Sequence, residues 1–485
     1  MILLLAGSNP KLTKQVNYLL RVSKDMCIIK RWKQKKIGLL AKSFGVCGCM
    51  LLIITGCAGE SEQETAETGV EQVTAEIGEE QKALEDSDEQ KSSETSDEQE
   101  ISEQSAVQDA EEQQEVSLTI TDNITNVADE ISFSEERDVQ EDSKADNKVT
   151  LIMVGDMLLH DRVEKSAQTD TGDYDYSAIF AHTKDLITEA DLAIANEEVI
   201  IGGADLGVSG YPAFNAPFEF ADQLVESGFD VICHGTNHAL DKGGRGIMSC
   251  LTYWDNYPEI QVLGIHDSQE DQSKLTIIEK NGLKLAVLNY TYGTNGIELP
   301  ADMPFGVDYL QEDAVIEDLS EAEEVADFTI VCPYWGTEYR LTPDSYQEKW
   351  TRIFVENGAD LIIGTHPHVI EPVEWVEFGG NRALVYYSLG NFVNWTSGEG
   401  EGVSNRMVGL MANVTLAKQP SDKVEIEGYD AIPLVSHVES GFGNVTVYPL
   451  DAYSEALALE NEIRNQAPDF NYGYICNLVS EVIHE

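Results

Sequence analysis

Four segments of this chain repeat one pattern: a helix-like stretch, a small residue with an Asp one or two positions later, a short apolar run and a polar tip. They are residues 189–197, 228–238, 325–338 and 358–368. A short, uninterrupted apolar run after a helix is typical of a strand buried in a sheet that helices cover. In such sheets ligands bind beyond the carboxyl ends of the strands. The pattern therefore predicts an α/β fold whose chemistry lies at the polar tips.

The polar tips carry side chains that bind metal ions. They are Asn196, Glu197, Asn237, His238, Glu338, His366 and His368. Asp156 adds a carboxylate, because it follows the apolar run 149–154, which predicts the first buried strand of the folded part. An aspartate in that position also commonly caps a helix, so Asp156 is weak evidence alone. Carboxylates, carboxamides and imidazoles together suit Mn, Fe or Zn better than Mg or Ca.

The strongest single motif is Gly364-Thr-His366-Pro-His368. Pro367 disfavours helix at His366, so the two imidazoles can be held in extended geometry toward one site. These are two of only nine histidines in the chain, and both follow a predicted strand. Their position favours metal binding over a packing role.

Two further tips offer catalytic and substrate-binding groups. Asn237 and His238 are adjacent, and Asp241 could accept the second ring N–H of His238 and fix its tautomer. The alternative is a loop histidine satisfied by backbone carbonyls. Trp335 and Glu338 offer an aromatic wall and an acid, although core packing explains Trp335 equally well.

The charge of the chain is concentrated before its folded part. The net charge is -56, from 87 acidic and 31 basic residues. Residues 58–147 consist mainly of Glu, Gln, Ser, Asp and Thr and have almost no aromatic residues, so we expect an acidic, disordered linker. The alternative is a polyanion that binds a basic partner or cations. Strong acidity also argues against nucleic acid as a partner, since phosphates are bound by Lys and Arg.

The first 57 residues predict an export signal. A Lys/Arg-rich stretch precedes the apolar run 43–56, which is too short for an ordinary transmembrane helix and fits a signal peptide. The run ends at Ile54-Thr-Gly-Cys57, which resembles a bacterial lipobox, so Cys57 is the predicted lipidation site. An uncleaved anchor would give the same topology, and translation could start at Met26. We therefore expect a signal peptide (1–57), a linker (58–147) and one folded domain (148–485), lipid-anchored on the extracytoplasmic side of the cell membrane.

Local signals predict several elements of the folded domain. Asn281-Gly282 and Gly379-Gly380 predict β-hairpins. Helices are predicted at 217–227, with Pro217 in the first turn and Gly228 as the stop, and from Thr342-Pro343 to Gly358. Residues 406–450 are predicted to be mostly strand and 451–464 a terminal helix. The four cysteines of this domain lack a CxxC pair and are expected to be free thiols.

Together, six ordered blocks resemble the CapA family of capsule and poly-γ-glutamate synthesis proteins, which is similar to calcineurin-like metallophosphoesterases. The blocks are Gly155-Asp156, Asn196-Glu197, 236–241, 335–339, 364–368 and 387–392 with Asn391. The resemblance covers nearly all of 149–438. It implies a four-layer α/β/β/α sandwich, in agreement with the interleaved helices and strands.

The resemblance also implies roles for individual residues. The implied metal ligands are Asp156, Glu197, Asn237, His366 and His368, with His160 as a further candidate. His238 would assist the leaving group, Asn237 would orient the nucleophile, and Asp241 would support His238. Asn196, Trp335, Glu338 and Asn391 would line the substrate site. Where the family usually has His before Trp-Gly, this chain has Tyr334, which could remove one metal ligand.

Three functions remain open on the sequence alone. The first is a metal-dependent hydrolase that takes part in capsule or poly-γ-glutamate biosynthesis. The second is a non-catalytic subunit that binds or assembles the polymer, and Tyr334 favours it somewhat. The third is a solute-binding lipoprotein, which would not need His366 and His368 side by side. The expected partners are an anionic surface polymer, a synthesis complex in the membrane, and the membrane itself.

Overall fold

The computed structural model describes residues 147–395, 402–441 and 443–483. The predicted signal peptide with Cys57, and the predicted linker apart from Asn147, lie outside these ranges, so both stay predictions. In the part of the chain that is described, no helix has both the length and the apolar character needed to cross a membrane.

Strands and helices alternate through most of the described chain. The strands are β1 (Lys148–Met157), β2 (Leu192–Asn196), β3 (Val231–Cys233), β4 (Gln261–Leu263), β5 (Ile277–Lys280), β6 (Leu283–Thr291), β7 (Phe328–Tyr334), β8 (Leu361–Ile363), β9 (Val373–Phe378), β10 (Asn381–Tyr386), β11 (Asn391–Val393), β12 (Val408–Lys418), β13 (Val424–Val438) and β14 (Val445–Pro449). The helices are α1 (Asp161–Ala167), α2 (Lys184–Glu189), α3 (Phe218–Ser227), α4 (Gly243–Trp254), α5 (Gln269–Gln272), α6 (Glu312–Val325), α7 (Ser345–Glu356), α8 (Glu455–Glu460) and α9 (Tyr472–Val482). All four repeated segments contain a strand after a helix, as predicted.

The first sheet joins a parallel half to an antiparallel half. Within the described residues its order is β14-β13-β12-β1-β2-β3-β4, and β11 also pairs with β1. Strands β1 to β4 are mutually parallel, whereas β12, β13 and β14 are antiparallel to their neighbours. The carboxyl ends of β1, β2 and β3 therefore meet at one edge of this sheet.

The second sheet has the order β5-β6-β7-β8-β10-β9. Its inner strands are parallel, and the two edge strands are added by hairpins. Asn281 and Gly282 have φ values of 49° and 80°, and Gly379 and Gly380 have 63° and 97°. Two successive positive φ values are what a type I′ turn requires. Both predicted hairpins are confirmed.

The two sheets pack face to face. Cys332 Sγ of β7 lies 3.7 Å from Met153 Sδ of β1. Because side chains alternate along a strand, Val331 points the other way and joins Trp350 and Phe354 of α7 in a second apolar cluster. The outer face of the first sheet is covered in turn by apolar residues of α3 and α4. The layers are therefore helix, sheet, sheet and helix, which confirms the predicted α/β/β/α sandwich.

The Asp of each repeated segment joins its strand to the neighbouring strand. Its carboxylate accepts a backbone N–H of that strand, and its own N–H donates to the carbonyl of the same residue. The four pairs are Asp191 with Thr150, Asp230 with Ala193, Asp327 with Lys284 and Asp360 with Thr329, at carboxylate distances of 2.9, 2.9, 2.9 and 3.0 Å. The repeated Asp thus fixes strand register at the amino ends of the strands.

Both predicted internal helices are present. Helix α3 begins after Pro217 and ends at Gly228, whose φ is 97°. Helix α7 begins at Ser345, slightly later than the Thr342-Pro343 signal predicted, because Asp344 and Gln347 form a reciprocal capping box. Asp344 Oδ1 accepts from Gln347 N at 2.9 Å, and Gln347 Oε1 accepts from Asp344 N at 2.9 Å.

The predicted helix at 451–464 is wrong as a single element. The structure breaks it into a 3₁₀ turn (Leu450–Ala452), α8 and another 3₁₀ turn (Glu462–Asn465). The buried Asn461 interrupts it, because its amide donates to Ser436 O of β13 at 3.0 Å and its Oδ1 caps Ile463 N at 3.1 Å. Side chains that bond to the backbone in this way compete with helix formation. Helix α9 follows and was not predicted.

The cysteines within the described ranges are free. Cys233, Cys250 and Cys332 are buried, and Cys476 is half-buried. This confirms the prediction that they do not form a disulfide framework.

Candidate metal centre

Polar side chains from both sheets converge in one buried cluster. Asp156 lies at the second-last position of β1, Glu198 follows β2, Glu338 follows β7, and His366 and His368 follow β8. Ligating atoms of Asp156, Glu198 and His368 all lie within 4.8 Å of one another, and so do those of Glu338, His366 and His368. Two three-residue groups that share His368 are therefore in place.

Asp156 organises the centre of this cluster. Its Oδ1 accepts from Asn196 Nδ2 at 2.8 Å, and the backbone N–H of His366 lies 3.3 Å from both carboxylate oxygens. Its Oδ2 lies 3.1 Å from His368 Nδ1. The aspartate is fully buried. It therefore links the first sheet to the loop that carries both histidines.

His366 is held in an uncommon backbone conformation. Its φ is 102°, a value that costs a non-glycine residue free energy and that is found mainly at functional sites. Its ring packs against both Tyr292 and Tyr334, each with its ring centroid 4.7 Å away. Burial and the nearby charges of His368 and His238 hold its pKa well below the usual value. A neutral imidazole is the form that binds a metal.

His368 has the opposite electrostatic environment. Burial alone would lower the pKa of His368, but the Glu198 and Asp156 carboxylates raise it to about 10. Its Nδ1 also lies 3.1 Å from Asn391 Oδ1. The site therefore stabilises positive charge at this position. A metal cation supplies the same charge when the ring is neutral.

Glu198, and not Glu197, points into the cluster. Glu198 Oε1 lies 3.8 Å from His238 Nε2, and Oε2 lies 3.7 Å from His368 Nδ1. Burial raises the pKa of Glu198 to about 7, and the His368 charge opposes the shift. The predicted ligand Glu197 is in neither three-residue group.

Strand geometry explains why Glu198, and not the predicted Glu197, faces the cluster. Glu197 N donates to Cys233 O at 3.0 Å, so the extended pairing of β2 with β3 continues past Asn196, and neighbouring side chains point to opposite sides. Glu197 lies near Glu164 and Cys250 instead. Burial, together with the Glu198 and Glu164 carboxylates, raises its pKa well above the usual value. Because Glu197 and Glu198 are adjacent and of the same type, the sequence gave no signal for which of them faces the cluster.

The donor set fits a divalent metal. Within the described residues, no hydrogen-bond partner is present for the buried atoms Nδ1 and Nε2 of His366, Oδ1 of Asn196 and Oδ1 of Asn237. Both Glu198 oxygens also lack a hydrogen bond of normal geometry, although the Tyr334 hydroxyl is close enough to lower the pKa of Glu198. A buried polar atom without a partner costs about 1–3 kcal/mol. Carboxylate oxygens, amide oxygens and imidazole nitrogens are the ligands that divalent metals take in proteins.

Beside the cluster lies a histidine–aspartate pair. His238 Nδ1 is 2.6 Å from Asp241 Oδ2, as the sequence predicted, and this carboxylate also accepts from Phe214 N at 2.7 Å. The Phe214 ring packs edge-on against His238, with centroids 4.6 Å apart. The pairing makes Nδ1 the N–H donor and turns Nε2 toward Glu198.

His160 lies near the cluster but in neither three-residue group. It precedes α1, and its ring packs edge-on against Phe214 with centroids 5.1 Å apart. Desolvation by the surrounding protein, and then the His368 and His238 charges, lowers its pKa to about 3. The structure therefore places a neutral imidazole beside the centre, and its role as a further ligand stays a prediction.

The residues predicted to bind substrate lie in different environments. Glu338 belongs to a ligand group with the two histidines, and Asn196 contacts Asp156. Trp335 is fully buried, and its Nε1 donates to Tyr387 O at 2.9 Å. It packs in the core against Phe354 and is not available to a substrate, so this prediction was wrong.

Asn391 supports a histidine. Its Nδ2 donates to His368 O at 3.1 Å, while its Oδ1 faces Nδ1 of the same residue. It is 1% exposed. Both ends of the amide are used in positioning His368, so the structure assigns Asn391 to the support of the cluster and not to substrate contact.

Tyr334 occupies the position where the resemblance leads one to expect histidine. It is fully buried, and burial raises the pKa of its hydroxyl well above the usual value. A phenol that stays neutral is a poor metal ligand. Tyr334 instead packs against His366 and faces Glu198, so it shapes the cluster without adding a ligand charge.

Comparisons with known proteins find relatives among bacterial capsule synthesis proteins. The family model described as "Bacterial capsule synthesis protein PGA_cap" matches residues 150–396. PGA biosynthesis protein CapA of Bacillus subtilis (strain 168) is 29% identical over 263 residues, which are 52% of this chain and 66% of that protein. Capsule biosynthesis protein CapA of Bacillus anthracis is 26% identical over 268 residues, which are 52% of this chain and 62% of that protein.

The chain thus spans just under two thirds of the length of these curated relatives. A solved 5′-nucleotidase precursor from Thermus thermophilus is 12% identical, with a TM-score of 0.38, covering 69% of this chain and 58% of that chain. The family model extends from β1 past β11 and includes every residue of the two three-residue groups. Since the model matches more than half of the chain, this protein belongs to the bacterial capsule synthesis protein family PGA_cap.

Proposed function

We propose that this chain is a metal-dependent hydrolase that takes part in capsule or poly-γ-glutamate biosynthesis. The observation that carries the proposal is the pair of three-residue ligand groups that share His368. Buried polar atoms without partners in the described chain surround them, and this arrangement is costly unless a ligand compensates it. The names of the two CapA relatives supply the biosynthetic context.

A divalent cation, for which Mn, Fe and Zn are the candidates, supplies Lewis acidity and charge neutralisation in such a site. Asp156, Glu198, Glu338, His366 and His368 would hold it. His366 is suited to this role because its pKa is lowered and its ring nitrogens have no other partner in the described chain.

The protein's own groups provide proton transfer. Asp241 fixes Nδ1 of His238 as a donor at 2.6 Å, so Nε2 is the atom that exchanges a proton with the leaving group. The Asn237 Oδ1 atom, buried without a partner among the described residues, can accept a hydrogen bond from the attacking nucleophile. Together they act as a positioned acid and an orienting group on one side of the ligand groups.

The cellular setting is a further part of the proposal. Lipidation at Cys57 would anchor the domain to the outer face of the cell membrane, and the acidic stretch 58–147 would be the tether. Substrates would be phosphate esters of surface polymers, or an amide or anhydride bond in polymer attachment. The anionic polymer and a membrane synthesis complex are the proposed partners.

Metal content and turnover test the proposal. The full chain, purified in detergent, is loaded with Mn, Fe or Zn, analysed for bound metal and screened against phosphomonoesters and phosphodiesters. We expect stoichiometric metal and metal-dependent hydrolysis, both lost in His368→Ala. His182→Ala, an exposed histidine stacked on Tyr448, is the matched control and should retain both. A wild-type chain that takes up no metal would overturn the hydrolase assignment.

A non-catalytic polymer-binding or assembly subunit is the second candidate. The neutral, buried Tyr334 favours it, because the cluster lacks a ligand there that the resemblance leads one to expect. Bound metal without turnover on any ester, combined with metal-dependent binding of a γ-glutamate polymer, would support this candidate over the first.

A further inference from the structure

Arg406 brings a positive side chain to a cluster made mainly of acids and histidines. It lies in the 3₁₀ turn Val403–Met407, just before β12. Its guanidinium carbon is 3.8 Å from the centroid of the Tyr339 ring. The Tyr339 ring centroid lies in turn 6.0 Å from that of His368. The arginine therefore stacks on the aromatic residue that adjoins the shared histidine.

The backbone of Arg406 is fixed to the same histidine. Asn391 Nδ2 donates to Arg406 O at 2.9 Å and to His368 O at 3.1 Å. The Arg406 charge also contributes to the lowered pKa of His160, which lies near the cluster. Backbone and side chain both place Arg406 at the edge of the ligand groups.

One hydrogen-bond donor of the Arg406 guanidinium is unused within the described chain. Its Nε is buried and has no hydrogen-bond partner there. Arg352, by contrast, donates from Nε to Glu356 Oε1 at 2.9 Å. Stacking on Tyr339 fixes the plane of the guanidinium without occupying its N–H groups. An arginine held in this way is prepared to bind a planar or tetrahedral oxyanion in bidentate fashion.

We propose that Arg406 binds an oxyanion of the substrate, a phosphoryl or carboxylate group, beside the metal centre. The proposal rests on the proposed function, since it names the anionic group which that site would take. The acids of the cluster repel an anionic polymer, and the Arg406 guanidinium offsets that repulsion where the ligand enters. Affinity for anionic substrates would then depend in part on Arg406.

Anion binding by the full chain in detergent tests the proposal. Calorimetric titrations with inorganic phosphate and with a short γ-glutamate oligomer are run on Mn-treated wild type, Arg406→Gln, Arg406→Lys and Arg352→Gln. We expect Arg406→Gln to weaken binding about tenfold or more, and Arg406→Lys to recover only part of it, because ammonium lacks the planar fork. Arg352→Gln, on the far helix layer, should bind as wild type does. Metal content, measured in every variant, reports whether the site is still folded.

The probes identify the ligand group. A loss confined to phosphate indicates a phosphoryl group, and a loss confined to the oligomer indicates a carboxylate. If hydrolysis is detected, Arg406→Gln should raise KM far more than it lowers kcat. Wild-type affinity in Arg406→Gln for both probes, or a wild type that binds neither, would overturn the proposal even if metal and turnover are present. Arg406-dependent binding without metal would keep this inference and reject the hydrolase.

Discussion

Polar side chains at the two ends of the parallel strands differ in whether their hydrogen bonds are satisfied. At the amino ends, Asp191, Asp230, Asp327 and Asp360 each accept a backbone N–H of the neighbouring strand. At the carboxyl ends, polar atoms of His366, Asn196 and Asn237 are buried without partners among the described residues. Satisfied groups stabilise a fold, whereas buried unsatisfied groups cost stability unless a ligand compensates them. The comparison therefore assigns the amino-end aspartates to fold stability and makes the carboxyl-end groups the candidates for ligand binding.

The largest expected effect comes from removing an unsatisfied group at a carboxyl end. His366→Gly relieves the φ of 102° and removes two buried nitrogens without partners in the described chain, but it leaves a cavity beside Tyr334. We expect metal affinity to fall by about 100-fold or more. Relief of strain should offset the cavity, so the stability of the metal-free chain should change by less than about 1.5 kcal/mol.

Metal titration and urea unfolding of the metal-free protein measure these two quantities. Full metal affinity combined with a large loss of stability would show that His366 is a structural residue. That result would contradict the assignment of the carboxyl-end groups to ligand binding.

The next effect concerns the proton donor beside the cluster. Asp241→Asn would allow His238 Nδ1 to lose its donor role, so the wrong tautomer would face the ligand groups. We expect kcat to fall by roughly 10²- to 10⁴-fold while metal content is unchanged. Asp308→Asn is the matched control, because Asp308 Oδ2 also lies 2.6 Å from a histidine nitrogen, that of His266, outside the cluster. Equal losses in both variants would contradict a catalytic role for the His238 pair.

A smaller effect is expected at an amino end. Asp360→Ala leaves the buried Thr329 N–H without its 3.0 Å carboxylate acceptor. We expect a loss of about 1–3 kcal/mol in the free energy of unfolding and no change in metal affinity. Urea unfolding measures the free energy of unfolding, and metal titration measures the metal affinity. A selective loss of metal binding in this variant would show that the two ends of the strands are coupled.

The smallest effect is expected at His266, a histidine at the carboxyl end of a strand whose ring nitrogens both have carboxylate partners. His266 follows β4, and its two nitrogens lie 3.0 Å from Asp271 Oδ2 and 2.6 Å from Asp308 Oδ2. Burial alone would lower the pKa of His266, but Asp308 and then Asp271 raise it above 6.5. Its stabilising contribution is therefore complete below pH 6.5 and is lost as the pH rises through the raised pKa of the folded state.

The difference in the free energy of unfolding between wild type and His266→Gln, measured by urea unfolding at about pH 6 and about pH 9, checks this expectation. We expect the difference to shrink at the higher pH, by no more than about 1 kcal/mol, since Asp271 is partly exposed to solvent. A difference that grows with pH would mean that His266 is neutral in the folded state. Metal affinity should not change in this variant.

Local sequence patterns predicted those parts of the fold that short-range physics decides. Asn281-Gly282 and Gly379-Gly380 require positive φ values, and glycine and asparagine adopt them at little cost, so both hairpins were predictable. The four uninterrupted apolar runs predicted buried strands because each follows the end of a helix and is too short to form a buried helix of its own. The prediction of one terminal helix at 451–464 was wrong because the contact of Asn461 with β13 is long-range and leaves no local signal.

The sequence by itself determined that metal-binding side chains gather at the strand tips, since parallel strands place their carboxyl ends together whatever the details of packing. It indicated the pairing of His238 with Asp241, which are close along the chain, and the structure has their Nδ1 and Oδ2 atoms 2.6 Å apart. Only the tertiary structure decided that Glu198 faces the cluster and Glu197 faces away, because that choice depends on strand register. It also decided that Trp335 is buried in the core and that Arg406 stacks on Tyr339 beside His368, since these contacts join elements far apart in the chain.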